Sequence, residues 1–305
     1  HSGVRGQRRR WIRDSVGPGC KDKQARILNR IITYVDRDEK TGKPCITWEA
    51  DARHVQLAAR HFGLQDASKR LTVGDKANFT KCHPLMGPEL EGGQILQFRS
   101  GCMRVAFLAM DRPEIQYMGK ECARVMNKPS AYGLECLKHI VRFLLGEPRL
   151  VWHFHEQHMY SIVDAYSDTN WAGCPVTRKS TSCSIMMLGK HCIGVNTSTQ
   201  SVIGLSSTEA EYYGGVKTAC RALGVRGLMS DLGVPEMTVR LSFDSSGAKG
   251  IAAKRGAGGV RHIELRTLWL QAAVERKLIT LRKVPGKVNP ADIGTKILTA
   301  AEVIA

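Results

Sequence analysis

No apolar run in this chain approaches the ~20 residues that a helix needs to cross a bilayer, and the mean hydropathy is -0.22. An integral helical membrane protein is therefore excluded, and no membrane partner is expected. The ten cysteines include no CxxC pair, and their spacings from Cys20 to Cys220 follow no metal-ligand pattern. A zinc ribbon or a disulfide framework is a poor fit, so the thiols are expected to be reduced and mostly packed. The N-terminal HSGVRGQRRRWIR is basic without a following apolar core, so no secretory signal is expected. The expected compartment is intracellular, cytoplasmic or nuclear. A chain that begins at His1 reads as a fragment of something longer.

Acid is also scarce: 28 Asp and Glu stand against 45 Lys and Arg, for a formal net charge of +17. The excess runs through both halves of the chain, which favours a polyanionic partner, nucleic acid first. With 305 residues and 43% hydrophobic content, the chain can fill one large core or two ordinary ones, which excludes disordered and fibrous classes.

The first 25 residues lack periodicity and read as a basic, flexible lead-in. Residues 26–35 and 45–50 flank the polar DRDEKTGKP and predict a hairpin. A helix is expected from Ala52 to Phe62, stopped by Gly63, and the turn-rich 64–93 reads as a linker. From Gln94 to Leu145 the apolar spacing is helical, with Ile115, Met118 and Cys122 on one stripe and Leu134, Leu137 and Val141 on another. From Tyr160 onward short β-like runs take over: SIVDAYSD, STSCSIMMLG, HCIGVNT, VRLSFD and LITLRKV. A long helix from Ser206 to Leu232 and another from Ile263 to Lys277 separate the later ones, an α/β order with at least one parallel crossover.

Four acids of this second half sit at element boundaries: Asp168, Glu209, Asp244 and Asp292. At the edge of an open α/β sheet such positions can converge. Convergent carboxylates repel one another unless cations neutralise them, and two Mg²⁺ ions would do so while promoting phosphodiester hydrolysis. Each of the last three also has a local alternative as a helix cap: Ser206 with Glu209 has capping-box spacing, Asp244 precedes Ser245, and Asn289-Pro290-Ala291-Asp292 is a helix start.

The words around these acids, in order, are YSDTNWAG, TRKSTS, LSSTEAEY, FDSSGA, RHIELR and VNPADIGTK. Together they resemble the ribonuclease H domain of copia-type LTR retrotransposon Pol polyproteins. Upstream, FRSGCMRVAFLAMDRPEIQYMGKECARVMNKPS resembles the helical connection to reverse transcriptase, and ITWEADARHVQLAARHFGL the end of the polymerase part. The resemblance implies a ribonuclease-H-like mixed five-stranded sheet with flanking helices over 160–298. Before it, over 26–159, it implies a mainly helical partial reverse-transcriptase thumb or connection region, and 299–305 is left as a tail. It also implies that Asp168, Glu209, Asp244 and Asp292 hold two Mg²⁺ ions, or Mn²⁺, and cut the RNA strand of an RNA/DNA hybrid. The implied partners are that hybrid and the upstream reverse-transcriptase part, and the implied setting is a retrotransposon particle in the cytoplasm, or the nucleus.

Two features imitate other chemistry. Tyr34-Val35-Asp36-Arg37 mimics the polymerase YVDD signature, but Arg37 replaces the second Asp, so polymerase activity is not expected and Asp36 and Asp38 read as hairpin-surface charges. His153 and His155 alternate on a strand and could face one side to bind a metal, with His158 nearby; no convergent fourth ligand is evident, and a structural or solvent-facing role is expected. Arg178, Lys179, Lys254, Arg255, Arg261 and His262 are candidate nucleic-acid contacts, the last four around the Gly-rich KRGAGGVRH. Asn170, the Ser245-Ser246 pair, Ser198-Thr199 and the lack of a histidine near Asp292 depart from the family pattern. Two alternative functions stand beside the nuclease: a non-catalytic nucleic-acid-binding remnant, and an integrase or transposase acting on DNA ends.

Overall fold

The computed structural model describes residues 16–234, 236–256, 263, 267–299 and 302. They divide into two compact units, one made of the chain up to Arg70 with Val141–His158, the other of Leu71–Ile140 with everything from Met159 on. One break between the units, at His158/Met159, lies one residue before the sequence boundary at 159/160, and the others lie at 70/71 and 140/141. Residues 71–140 fold with the second-half sheet.

The first unit carries a four-stranded antiparallel sheet in the order β1 (Gln24–Ile27), β2 (Arg30–Val35), β3 (Cys45–Ala50), β4 (Trp152–His155). The expected single strand over 26–35 is broken: Leu28 and Asn29 both take positive φ (50° and 59°), and a two-residue turn reverses the chain between Ile27 and Arg30. β2 and β3 pair from Arg30↔Ala50 to Val35↔Cys45, the hairpin read from the sequence. Helix α1 (Arg53–His61) buries Val55, Ala58 and Ala59. It closes with Gly63 at φ +65°, where the Leu64 N–H reaches the Ala59 carbonyl at 2.8 Å and the Gly63 N–H reaches Arg60 at 3.1 Å. Asp36 is exposed and pairs with Lys23. Asp38 is not a surface charge as expected: it is buried, because the turn wraps round it and the Lys40 and Thr41 N–H groups donate to its Oδ1 at 3.1 and 2.9 Å.

The second unit is built on a five-stranded mixed sheet in the order β7-β6-β5-β8-β9, with β5 Ile162–Asn170, β6 Thr181–Leu188, β7 His191–Thr199, β8 Thr238–Phe243 and β9 Ile279–Lys283. β5, β6 and β7 form an antiparallel meander, and β5, β8 and β9 run parallel. All five strands lie where the sequence alternation places them. The parallel strands require crossovers, supplied by α5 (Ser207–Asp231) before β8 and by α6 (Ser246–Ala253) with α7 (Trp269–Glu275) before β9. Helix α6 starts at the cap position read beside Asp244, and Ser245 is the residue that caps it, accepting the Ala248 N–H. The core joins Val163, Ala165, Tyr212, Leu241, Phe243 and Leu270.

The segment 71–93 is not a linker. Val73, His83, Pro84 and Leu90 are buried, and the Leu90 N–H donates to Pro129 O at 2.8 Å, ahead of α4 (Ala131–Gly146). Helices α2 (Gly93–Ala109) and α3 (Gln116–Ala123) pack together, and α3 lies on β7. β7 is an edge strand, whose free peptide groups need partners. The Gln116 amide provides them, donating to Val195 O at 3.1 Å and accepting the Thr197 N–H at 3.0 Å. Lys120 donates to Thr181 Oγ1 at 2.8 Å. Buried Glu121 gathers His83, Lys120 and Arg124; burial pushes its carboxyl up, but these donors and charges outweigh it and hold the group at about 2.

Helix α5 lies very close to the sheet. A Cβ on Gly215 would overlap the Phe243 ring, and one on Gly214 would overlap Thr169 Oγ1, whereas Gly227, farther along the helix, has open space. Gly215→Ala should therefore destabilise the unit by about 1–3 kcal/mol through overpacking. Gly227→Ala should stabilise it by about 0.5–1 kcal/mol through helix propensity. Chemical denaturation of the two variants checks both signs.

Candidate acidic site

Parallel strands β5 and β8 end side by side, with Tyr166 paired to Ser242, so the next acidic positions, Asp168 and Asp244, emerge at the same sheet edge. The first turns of α5 reach that edge from one side, and the 3₁₀ turn Pro290–Gly294 from the other. Among the described residues, the carboxylate oxygens of Asp168, Glu211 and Asp244 all lie within 4.8 Å of one another. Asp168 and Glu211 are buried, and Asp244 is half-buried.

Asp168 and Glu211 are each held by a neighbour. Thr295 Oγ1 donates to Asp168 Oδ2 at 2.7 Å, and the Asn289 amide donates to Ser167 O at 2.9 Å, binding the C-terminal turn to β5. The Thr169 N–H donates to Glu211 Oε1 at 3.2 Å, while Glu211 Oε2 is buried with no hydrogen-bond partner. Burial, and then the charges of Asp244 and Asp292, push Asp168 up to about 6 against the favourable bond from Thr295. Burial and the charges of Asp168 and Asp244 push Glu211 up to about 9.

Of the four acids singled out from the sequence, the structure brings Asp168 and Asp244 together and sets Asp292 beside them. Asp292 acts on Asp168 through its charge, but its own Oδ2 is taken by Lys296 Nζ at 2.6 Å. Among the described residues it is Glu211, not Glu209, whose carboxylate lies with those of Asp168 and Asp244. Positions two apart on a helix are turned by roughly 200°, so only one can face the sheet edge. Glu209 takes the capping role instead: its N–H donates to Ser206 Oγ at 3.2 Å, and its Oε2 accepts the Leu205 N–H at 2.8 Å. The S-x-x-E spacing already contained that signal.

Of the basic candidates, Arg178 and Lys179 lie in the β5–β6 loop, Arg178 exposed with φ +56°. Lys254 and Arg255 are exposed after α6, and Arg255 is ion-paired with Glu275. Arg261 and His262 lie outside the described residues.

No family model matches the chain. Over 184 residues, 59% of its length, the chain is 32% identical to the retrovirus-related Pol polyprotein from transposon RE1 of Arabidopsis thaliana, of which the match covers 12%. Over 257 residues, 82% of its length, it is 25% identical to the corresponding polyprotein from transposon TNT 1-94 of Nicotiana tabacum, of which the match covers 19%. This chain is related to the Pol polyproteins of copia-type retrotransposons. It spans under a fifth of the length of these two relatives. Similar solved structures include LC11-RNase H1 in complex with an RNA/DNA hybrid (15% identity, TM-score 0.30, 44% of this chain and 93% of that one). The N-terminal RNase H domain of Rv2228c from Mycobacterium tuberculosis also matches (13% identity, TM-score 0.31, 48% and 100%). The mixed five-stranded sheet with its flanking helices is the arrangement that the sequence resemblance implies. Among the described residues, no helix is long and apolar enough to cross a membrane.

The residues present fit a divalent cation. The donor set is all carboxylate oxygen, which suits a hard ion such as Mg²⁺ or Mn²⁺, and the unpartnered Glu211 Oε2 needs a positive neighbour.

Both elevated acids bind their protons more tightly folded than unfolded, so their contribution to stability is greatest below pH ~4 and is lost as pH rises through about 6 and about 9. The chelator-treated protein should therefore melt at lower temperature at pH 8 than at pH 5. Glu211→Gln, whose amide can donate to the two aspartates, should flatten that decline and raise the pH 8 melting temperature by several degrees, at about 2–4 °C for each kcal/mol. Calorimetry of wild type and variant across this range, with and without Mg²⁺, checks the sign; Mg²⁺ should stabilise only the wild type.

Proposed function

We propose that this chain is the ribonuclease H part of a retrotransposon Pol polyprotein, a metal-dependent endonuclease that hydrolyses the RNA strand of RNA/DNA hybrids. The observation that carries the reading is the convergence of Asp168, Glu211 and Asp244 at one sheet edge, in a chain related to such polyproteins.

In this reading Asp168, Glu211 and Asp244 hold the cations, and Asp292 completes the set at the rim. When bound there, two Mg²⁺ ions supply Lewis acidity that favours attack by water and departure of the 3′ oxygen, leaving a 3′-hydroxyl and a 5′-phosphate. The protein's own part is positional and electrostatic. Thr295 and the Thr169 N–H orient two of the carboxylates, and burial keeps water from screening their charge. Lys296 neutralises Asp292, and Lys283 at the end of β9 acts on Glu211 through its charge. Arg178, Lys179, Lys254 and Arg255 are the proposed contacts to the hybrid. They would act through phosphates and sugars, so cleavage would show little sequence preference and binding would weaken steeply with salt.

The test is cleavage of an end-labelled RNA/DNA hybrid by the full chain with Mg²⁺ or Mn²⁺, beside single-stranded and duplex DNA controls. Asp244→Asn and Glu211→Gln should each reduce the rate by ~10³-fold or more, the scale of losing a group that acts only in the transition state. Glu209→Gln, which keeps an acceptor oxygen for the capping box, should leave cleavage within a few-fold of wild type and stability nearly unchanged. Hybrid binding without cutting by the wild type in either metal would overturn the nuclease reading in favour of a binding remnant. Preference for duplex DNA would favour an integrase-like enzyme.

A further inference from the structure

The sheet of the first unit brings three potential metal ligands of different chemistry to one point. Asp38 comes from the β2–β3 turn, Cys45 from the start of β3 and His153 from β4, more than a hundred residues later in the chain. Their ligand atoms all lie within 4.8 Å of one another, the only such group besides the acidic site among the described residues. His153 Nδ1 is 3.0 Å from Asp38 Oδ2 and 3.9 Å from Cys45 Sγ. We propose that Asp38, Cys45 and His153 form a transition-metal site, with Zn²⁺ as its ion, that fastens β4 to the β2–β3 hairpin.

The donor set of one thiolate, one imidazole and one carboxylate suits Zn²⁺ and is unsuited to Mg²⁺ or Ca²⁺, which take oxygen ligands. Bond lengths of roughly 2.0–2.3 Å in a tetrahedral zinc site imply ligand-to-ligand separations of roughly 3.3–3.8 Å. The two short separations here bracket that range, so small side-chain movements complete the site. The fourth position is left to water, because His153 is 40% exposed at the open side of the group.

The surroundings are organised as a metal site requires. The backbone of the turn occupies Asp38 Oδ1, through Lys40 and Thr41, and leaves Oδ2 directed at His153. Division of labour between the two oxygens orients a ligating carboxylate before the ion arrives. Cys45 is buried, and burial with the neighbouring Asp38 charge pushes its thiol up. A cation that binds both would relieve that repulsion as Cys45 gives its proton to solvent. His155, whose Nδ1 is 3.4 Å from Thr41 Oγ1, stacks beside His153 at 6.2 Å between ring centroids and braces the strand.

The site closes a long connection. β4 is an edge strand whose pairing with β3 is four residues long, from Cys45↔His155 to Trp48↔Trp152. An ion bound by strands so distant in sequence stabilises the folded unit by its binding free energy, because the unfolded chain does not hold the three ligands together.

The test is titration of the full, reduced chain with Co²⁺, whose thiolate charge-transfer absorption reports a cysteine ligand and is not produced by the all-carboxylate site. One equivalent of Co²⁺ should produce that band, Zn²⁺ should displace it, and Zn²⁺ should raise the melting temperature. Cys45→Ser should abolish the band. His153→Ala, at a 40% exposed position that the sheet tolerates, should weaken Zn²⁺ binding at least ~10-fold. Absence of the band in the wild type, or its survival unchanged in Cys45→Ser or in His153→Ala, would overturn the proposal.

Discussion

Carboxylates held within 4.8 Å of one another in a partly dry environment repel strongly, and much of the second unit is arranged to impose that proximity. Asp168 and Asp244 have little choice, because they continue two paired parallel strands. Glu211 arrives from a helix, and its approach depends on Gly214 and Gly215, where the absence of side chains lets α5 settle onto Thr169 and the Phe243 ring. The C-terminal segment supplies the remaining restraints through Asn289 and Thr295. The cost appears as the elevated protonation of Asp168 and Glu211, and an ion that offsets it gains binding energy from the same repulsion. A fold that stores electrostatic strain at one edge is suited to taking up cations there.

The same unit shows how an edge strand is made safe. β7 would offer a row of unpaired peptide groups, and α3 covers it with a side-chain amide that imitates a neighbouring strand. The buried Glu121 group then holds His83, from the segment that reads as a linker, against α3. These contacts explain why residues 71–140 belong physically to the mixed five-stranded sheet. The compact unit follows where apolar faces and unpaired peptide groups find cover.

In the first unit, a hairpin turn and a distant strand meet at Asp38 and His153. Asp38 looks like an ordinary turn residue in sequence, and its Oδ1 does serve the turn. Its other oxygen acquires a partner only because β4 pairs with β3. The histidines, unremarkable when read along their own strand, gain a sulfur and a carboxylate neighbour by that pairing.

Alternation, helix caps and turn residues are short-range effects, and they were legible. The five strands of the mixed sheet, the long helix opening at Ser206 and the hairpin at 30–50 all follow from residues within a few positions of one another. Motif order likewise disclosed the kinship and two members of the acidic group. Tertiary structure decided which glutamate faces that group, since a rotation of roughly 200° between positions 209 and 211 has meaning only once the helix lies on a sheet. It also decided that 71–93 is anchored through buried Val73, His83, Pro84 and Leu90, that Asp38 is buried, and that Cys45 and His153 are neighbours. Each of those outcomes depends on contacts between residues far apart in the chain, and local propensity carries no information about them.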